Sequence, residues 1–446
     1  MRPDESRQPR VAPSFSPDQV VDNITGIIRW VSEIPIDPGE PEIFNYSVKM
    51  CDSRRYLPVG CYDRNGGAGL TREQARRAAI GEAIERYCGS IYFHDELLFG
   101  PAREVGRLTR IFGPPDMALF HERQLDQIRY PRWTEDLPLC WANAYSLTKN
   151  EPMLVPACMT YLPYYPFFRE RGELSAGPSI TTGQASAFNY LEAALRGVYE
   201  IVERDAFMIT WLARLPVPRV AIESSPRIAR IFEDRFARPN LSYTLHSLAT
   251  DTGIPSILCI VIDYNCDPPM ICTGGASHFD PEKAASKALV EAAQTREWAK
   301  FLGRRKEPFI FESDFSNIDD FDKHVMLYAF ANMLPAVEFL THSPREMAFS
   351  DFDRTEAASP ASEFAELRER LEGLGYEVVL ADLTTCDVRQ CGYRVVKMFV
   401  SGMQQLEGEY SHRMLGGRRL YEVPEKLGYP VKPEFESLNP DPHPYP

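Results

Sequence analysis

Three stretches of the chain carry a helical spacing of small, apolar and acidic positions, and each follows a run of Gly, Ala, Ser or Thr. They run from Thr71 to about Ser90, from Asn189 to Leu212 and from Pro281 to about Leu302, and their periodicity is that of helices with one buried face. Thr71 with Gln74 three residues on suits a capping box. The preceding runs, Gly66 to Gly69, Thr181 to Ala187 and Gly274 to His278, are expected to be loops that feed the helices. Val20 to Ile34 has a helical pattern that ends before Pro35, and residues 315–345 look helical. Phe364 to Leu374 is amphipathic, with Gly375 as its stop. Tyr243 to Ala249, Ser256 to Asp263, Glu377 to Ala381 and Arg394 to Val400 read as strands, the last two separated by a turn over Asp387 to Gly392. Residues 1–17 are rich in Pro, Ser and charge and are expected to be disordered. Residues 100–170 read as loops and short strands, and from Leu427 the periodicity gives way to a Pro-rich end.

Two of the helical stretches share a motif. Glu82 maps onto Glu200, Glu85 onto Glu203 and Arg86 onto Arg204, each pair separated by 118 positions. Small residues match upstream, Ala75 with Ala193 and Ala79 with Gly197. The third stretch is a variant in which Ala284 and Ala288 precede Glu291 at the same spacings, Gln294 stands where the second Glu would be, and Arg296 sits one residue late. Positions −7, −3, 0 and +3 share a helix face, so each helix presents a close-packing stripe that turns acidic. A carboxylate amid Ala79, Ile80, Ala83 and Ile84 needs a partner, because an unpaired buried charge is costly. Two such helices face to face would gather four carboxylates, and like charges so close need cations. Mg2+ is the hard cation suited to carboxylate oxygens, and it commonly brings phosphates with it. Arginines would then contact phosphate. A helix salt-bridge pattern would explain one copy of Glu-x-x-Glu-Arg but not three matched ones. No Gly-x-x-x-x-Gly-Lys-Ser/Thr loop or kinase signature is present.

Composition narrows the class. A net charge of −14 argues against nucleic acid or an anionic membrane as the main partner. The N-terminus lacks the apolar stretch of a signal peptide, and no run approaches the ~18 apolar residues of a membrane span, which points to a cytoplasmic protein. The ten cysteines show no Cys-x-x-Cys and fit no common zinc spacing, so buried thiols are expected.

At these motifs the sequence resembles the YcaO family. The residues that carry the resemblance are Gly67-Ala68-Gly69 with Glu82-Ala83-Ile84-Glu85-Arg86, Thr182-Gly183 with Glu200-Ile201-Val202-Glu203-Arg204-Asp205, Gly274-Gly275-Ala276 with Glu291 to Arg296, Asp382-Leu383-Thr384-Thr385, and Leu415-Gly416-Gly417-Arg418-Arg419-Leu420. It spans roughly residues 45 to 446. The resemblance implies an α+β fold of the YcaO type, with repeated loop–helix units on mixed β-sheets. It also implies an ATP- and Mg2+-dependent enzyme acting on peptide backbone amides. By position, Glu82, Glu85, Glu200 and Glu203 would hold Mg2+ and nucleotide, and Arg204 and Arg296 would contact phosphates. Glu192, on the same helix as Glu200, is a further nucleotide candidate. Where many members have Asn after the second small-residue run, this chain has Phe188, with Asn189 beside it.

The chain ends Asn439-Pro440-Asp441-Pro442-His443-Pro444-Tyr445-Pro446. Alternating prolines favour a stiff extended segment of ~3.1 Å per residue. The Pro-x-Pro-x-Pro pattern of Pro442, Pro444 and Pro446 resembles that of the family's azoline-forming cyclodehydratases. This implies that the tail enters the active site and that the carboxylate of Pro446 acts in proton transfer. The expected organisation is a disordered segment and helix over 1–44, a catalytic domain over 45–430 and a tail over 431–446 that is dispensable for folding. The expected reaction is conversion of Cys, Ser or Thr of a ribosomal precursor peptide to thiazoline or oxazoline, of the kind used in antibiotic biosynthesis, through phosphorylation of the backbone amide oxygen. Thioamide or amidine formation, or a non-catalytic scaffold, are the alternatives. Expected partners are the precursor and a separate leader-binding, E1-like protein, and a homodimer is compatible with the sequence.

Overall fold

The small-residue runs before the three helices are strands. A computed structural model describes residues 17–55, 60–305 and 309–446, so the disorder expected for residues 1–16 lies outside the described residues. The chain forms three sheets with helices packed on them. The first is an antiparallel meander of β1 (Ile28–Ile34), β2 (Phe44–Met50) and β3 (Arg64–Gly69). The second has seven strands. Five are β4 (Leu98–Pro101), β5 (Arg110–Ile111), β6 (Pro138–Ser146), β7 (Glu151–Pro156) and β8 (Gln184–Ala187). The chain returns much later to add β14 (Val378–Asp382) and β15 (Arg394–Val400), giving the order β5-β7-β6-β14-β15-β8, with β4 on β6. The third holds β9 (Arg219–Val220), β10 (Leu241–Ser247), β11 (Ser256–Asp263), β12 (Met270–Ser277) and β13 (Glu346–Met347), in the order β12-β11-β10-β9-β13. The two larger sheets each contain one parallel pair, β5 with β7 and β9 with β13, so they are mixed as expected.

The helix expected over Val20 to Ile34 is absent. A 3-10 turn, Pro17–Val20, is followed by β1. Trp30, Val31 and Ile34 are strand-favouring residues, and the ladder to β2, with Val31 opposite Val48 and Glu33 opposite Tyr46, overrides the short helical spacing. Residues 315–345 hold two helices, Phe321–Phe330 and Leu334–Thr341, with Pro335 in the first turn of the second. The helix Pro360–Gly373 ends before Gly375, whose φ of +87° lets the backbone reverse. The turn after β14 winds into one helical stretch, Cys386–Gln390.

Three strand–helix units repeat. Strand β3 leads to α1 (Arg72–Gly89), β8 to α2 (Tyr190–Leu212) and β12 to α3 (Pro281–Arg305). The first two helices start as read: the Thr71 hydroxyl accepts from the Gln74 amide at 3.2 Å and the Asn189 side chain from the Glu192 amide at 2.9 Å. The glycines are there for contact between the strand and its helix. A Cβ on Gly67 would lie 2.1 Å from the Ala79 nitrogen, and one on Gly274 would lie 2.3 Å from the Ala292 nitrogen. Likewise, a Cβ on Gly197 of α2 would lie 2.6 Å from the Gly183 carbonyl. The small-residue stripe of each helix therefore lies on backbone of its own strand. The expectation that these runs are loops feeding the helices is corrected accordingly.

The C-terminal strap is part of the core. Pro442, His443, Pro444 and Tyr445 are buried, and six successive carbonyls each accept a hydrogen bond from a different side chain. Arg413 donates to Asn439 at 2.6 Å, Tyr410 to Pro440, Trp211 to Asp441 at 3.1 Å and Tyr328 to Pro442 at 2.6 Å. His324 reaches the His443 carbonyl at 2.8 Å, and Thr273 donates to Pro444 at 2.9 Å. The prolines lack N–H groups, so few donors remain to be satisfied in this segment.

Candidate active site

The acidic motif comes together around α1, α2 and α3, with strand β8 contacting both α1 and α2. The expected direct face-to-face pairing of the two Glu-x-x-Glu-Arg helices is thus replaced by an arrangement bridged through a strand. The Ser186 amide of β8 donates to Glu85 at 2.7 Å and the Ser186 hydroxyl to the Gly81 carbonyl at 3.1 Å. The Gln184 side chain donates to the Glu85 carbonyl. On the other side the Gly183 amide donates to Glu200 at 3.1 Å. One short strand and the residue just before it therefore hold a carboxylate from each helix through backbone amides.

Each carboxylate has a partner within the protein. Glu82 pairs with Arg86 at 2.5 Å along α1. Glu203, the most buried at 2% exposure, accepts from the Tyr445 phenol at 2.5 Å, and Arg204 and Lys287 stand 3.5 and 3.7 Å away. Glu200 lies 3.7 Å from Arg204. From α3, Glu291 pairs with Lys287 at 3.3 Å and accepts from the Gly275 amide at 3.4 Å.

The electrostatics show strain among like charges. Burial, together with the neighbouring Glu82 charge, pushes the Glu85 carboxyl up to about 8. Burial also raises Glu200 and Glu291, against the pull of Arg204 and of Lys287 respectively. Burial works against the Arg204 cation, yet the Tyr445 phenol and the carboxylates of Glu203, Glu200 and Glu291 hold its proton more tightly than usual.

Among the described residues, no three His, Cys, Asp or Glu side chains stand close enough to hold a metal ion as they are. The residues nevertheless fit a metal–phosphate group chemically. Glu82, Glu85, Glu200 and Glu203 offer hard carboxylate oxygens, and burial together with neighbouring carboxylate charge raises Glu85 and Glu200, a setting that a cation would relieve. The Nη1 atom of buried Arg204 has no hydrogen-bond partner and its Nε meets only the Glu203 carboxylate, at 3.5 Å, so the guanidinium keeps donor capacity for a further anion.

Other expected site residues fare differently. Glu192 is half-buried at the start of α2, two turns before Glu200. Arg296 lies in another network: its Nε donates to Asp263 at 2.8 Å and its guanidinium also engages Glu40 and Glu297, with Lys300 completing the group. Among the described residues none of its ion pairs reaches the acidic cluster. Its one-residue delay turns it about 100° around the helix, away from the face that carries Glu291. Pro442 and Pro444 are buried and Pro446 is half-buried beside Tyr445.

Sequence reasoning missed Lys287, the functional weight of Glu291, and Tyr445. The Lys287–Glu291 spacing of four was a usable signal, whereas nothing in a Pro-rich end singles out its tyrosine. It also missed Lys397, which is 1% exposed with its ammonium on the Ile180 and Thr182 carbonyls at 2.5 and 2.8 Å, and which burial lowers to about 7. A further omission is the buried Asp205–Arg419 pair, bidentate at 2.8 and 2.7 Å, which ties α2 to the helix Arg418–Lys426. Among the described residues no helix is long and apolar enough to cross a membrane.

Comparison with known proteins gives the family and the fold. A family model described as YcaO cyclodehydratase, ATP- and Mg2+-binding, matches residues 66–404. An uncharacterized protein of Methanothermobacter thermautotrophicus is 32% identical over 234 residues, which are 52% of this chain and 56% of that relative. A solved heterocyclase in complex with substrate and cofactor superposes with a TM-score of 0.77 at 22% identity, covering 96% of this chain and 57% of its own. The structure of YcaO from Methanopyrus kandleri bound with AMPPCP and Mg2+ gives a TM-score of 0.61 at 21% identity, covering 85% of this chain and 86% of that one. The E. coli microcin synthetase McbBCD complex with pro-MccB17 bound gives 0.54 at 16%, covering 83% and 86%. The structural likenesses establish a shared fold. This chain spans little more than half the length of the first of these solved proteins and of the Methanothermobacter relative.

Proposed function

The chain belongs to the YcaO family, whose members bind ATP and Mg2+, and we propose that it is a cyclodehydratase that closes thiazoline or oxazoline rings on a ribosomal precursor peptide. The observation that carries this reading is the buried Arg204, whose Nη1 has no hydrogen-bond partner, set beside Glu200 and Glu203 of the repeated acidic motif. It is a cation with spare donor capacity beside a group of buried carboxylates.

In this reading Glu82, Glu85, Glu200 and Glu203 hold Mg2+, with Glu192 assisting the nucleotide and Arg204 on phosphate. Arg296 is left out, because Asp263, Glu40 and Glu297 occupy its guanidinium. Bound Mg2+ supplies neutralisation of phosphate charge. The thiol or hydroxyl of Cys, Ser or Thr attacks the preceding amide carbonyl carbon and gives up its proton. The amide oxygen, now carrying the negative charge, takes the γ-phosphoryl group of ATP as the bond to the bridging oxygen breaks and ADP leaves. Loss of phosphate and of the amide N–H proton leaves the C=N bond of the ring. Arg204 meets charge that grows on the transferring group, which is how a preorganised cation accelerates phosphoryl transfer. The carboxylate of Pro446, next to the docked Tyr445, is assigned the proton transfer.

A substrate and partner proteins find support in the solved heterocyclase with substrate and in the microcin synthetase complex with pro-MccB17 bound, and we take the partner of this chain to be a separate leader-binding, E1-like protein. Self-association is compatible with either. The test is to incubate the protein with ATP, Mg2+, a candidate precursor and its partner protein and to weigh the peptide. Loss of one water per modified residue is expected. A change of oxygen for sulfur replaces this reading with thioamide formation, and the absence of ATP turnover under every condition replaces it with a scaffold.

A further inference from the structure

The phenol of Tyr445 is built into the acidic cluster from three sides. Its hydroxyl donates to Glu203 Oε1 at 2.5 Å. Its ring carries the Arg204 guanidinium 4.3 Å from its centroid and packs on the Phe207 ring at 4.5 Å. On the remaining side Gly275 of β12 makes room: a Cβ there would lie 2.3 Å from the phenol oxygen. The residue is 1% exposed, and the neighbouring Pro444 carbonyl is fastened by Thr273 of the same strand.

We propose that Tyr445 is a positioning residue that couples docking of the C-terminal strap to loading of the Mg2+–nucleotide site; this rests on the functional reading above. A carboxylate ligand is only as well placed as the group that holds its other oxygen. Tyr445 fixes Glu203 Oε1 with a neutral donor, which leaves Oε2, now 3.7 Å from Lys287, for a cation. The same ring holds the plane of Arg204, whose Nη1 has no hydrogen-bond partner and is the donor left for phosphate. When the strap is docked, one metal ligand and one phosphate contact are set before either ligand arrives. Linkage makes the effect reciprocal, so Mg2+ and nucleotide tighten the strap by the factor with which the strap tightens them.

The experiment uses the full chain in three forms: unsubstituted, Y445F, which keeps the ring and removes the donor, and G275A, which crowds the phenol from the socket and leaves the strap sequence intact. Mg2+ is titrated calorimetrically in the presence of a non-hydrolysable ATP analogue. Hydrogen exchange of the peptide that holds the Asp441 and Tyr445 amides is followed with and without Mg2+ and the analogue. Urea midpoints identify the forms that fold. Each variant is expected to bind Mg2+ about tenfold more weakly and to lose the exchange protection that Mg2+ and nucleotide confer on the strap. A Y445F protein with unchanged Mg2+ affinity overturns the proposal, even if its urea midpoint falls. If Y445F does not fold, the same result in G275A overturns it. If the unsubstituted protein shows no Mg2+-dependent nucleotide binding, it is the functional reading itself that is overturned.

Discussion

Glu407 shows what burial does to a single residue in this protein. It is 3% exposed, its Oε2 has no hydrogen-bond partner, and burial pushes its carboxyl up to about 8. The unfolded carboxyl ionises near its ordinary value of 4.5. Between those values the folded state holds a proton that the unfolded state has released, so stability falls as pH rises from about 5 towards 8 and levels off above that. Glu407→Gln removes the titration and keeps the shape. Its urea midpoint is expected to match the parent near pH 4.5 and to exceed it by the equivalent of about 4 kcal/mol near pH 8. A parent and variant that run parallel across the range would show the carboxyl to be ionised in the fold. At the same scale, most of the acidic cluster was legible. Glu82, Glu85, Glu200, Glu203 and Arg204 announce themselves by a fixed offset in a small-residue setting. Arg296 misled because composition supplies the residue but not its direction, and a shift of one position on a helix swings a side chain to other partners. Tyr445 was hidden because its partners come from residues far away in sequence, Glu203 and Gly275.

Among elements, the three strand–helix units explain where the reading of secondary structure succeeded and failed. The helices were visible through their caps and spacing. The strands before them were not, since Gly and Ala are depleted in strands and read as loops. What selects glycine here is the closeness of the crossing helix, which no local pattern records. Two glycine substitutions separate the cases. Gly274→Ala places a Cβ 2.3 Å from the Ala292 nitrogen and 2.7 Å from the Ala288 carbonyl, backbone that cannot step aside, and is expected to cost about 1–3 kcal/mol or more in a denaturant titration. Gly373→Ala at the end of the helix Pro360–Gly373 meets nothing within 4 Å and is expected to gain about 0.5–1 kcal/mol. Equal effects at the two sites would contradict the close packing described for β12 and α3.

For the molecule as a whole, the strap changes the meaning of the tail. A Pro-rich end reads as an appendage that could be removed with little effect on folding. Instead Pro442 to Tyr445 are buried against α2, β12 and the helix Phe321–Phe330, and Tyr445 belongs to the same apolar cluster as Phe207, Trp211 and Tyr328. Deleting Pro442 to Pro446 is therefore expected to abolish ring formation and also to lower stability by about 3 kcal/mol or more, from lost hydrogen bonds at roughly 1 kcal/mol each and an emptied aromatic site. A truncated protein with the parent's urea midpoint would show that the strap does not contribute to the fold.

The six captured carbonyls make the strap a ruler. Arg413 and Trp211 fix one end and Tyr445 fixes the other, and an extended Pro-rich segment has almost no slack, at ~3.1 Å for each residue. Recognition passes through the main chain, so the identity of a side chain such as Asp441 counts for less than the number of residues between the anchors. One residue more or fewer would move every acceptor past its donor and carry the phenol of Tyr445 off Glu203. What the segment measures out for the acidic cluster is length.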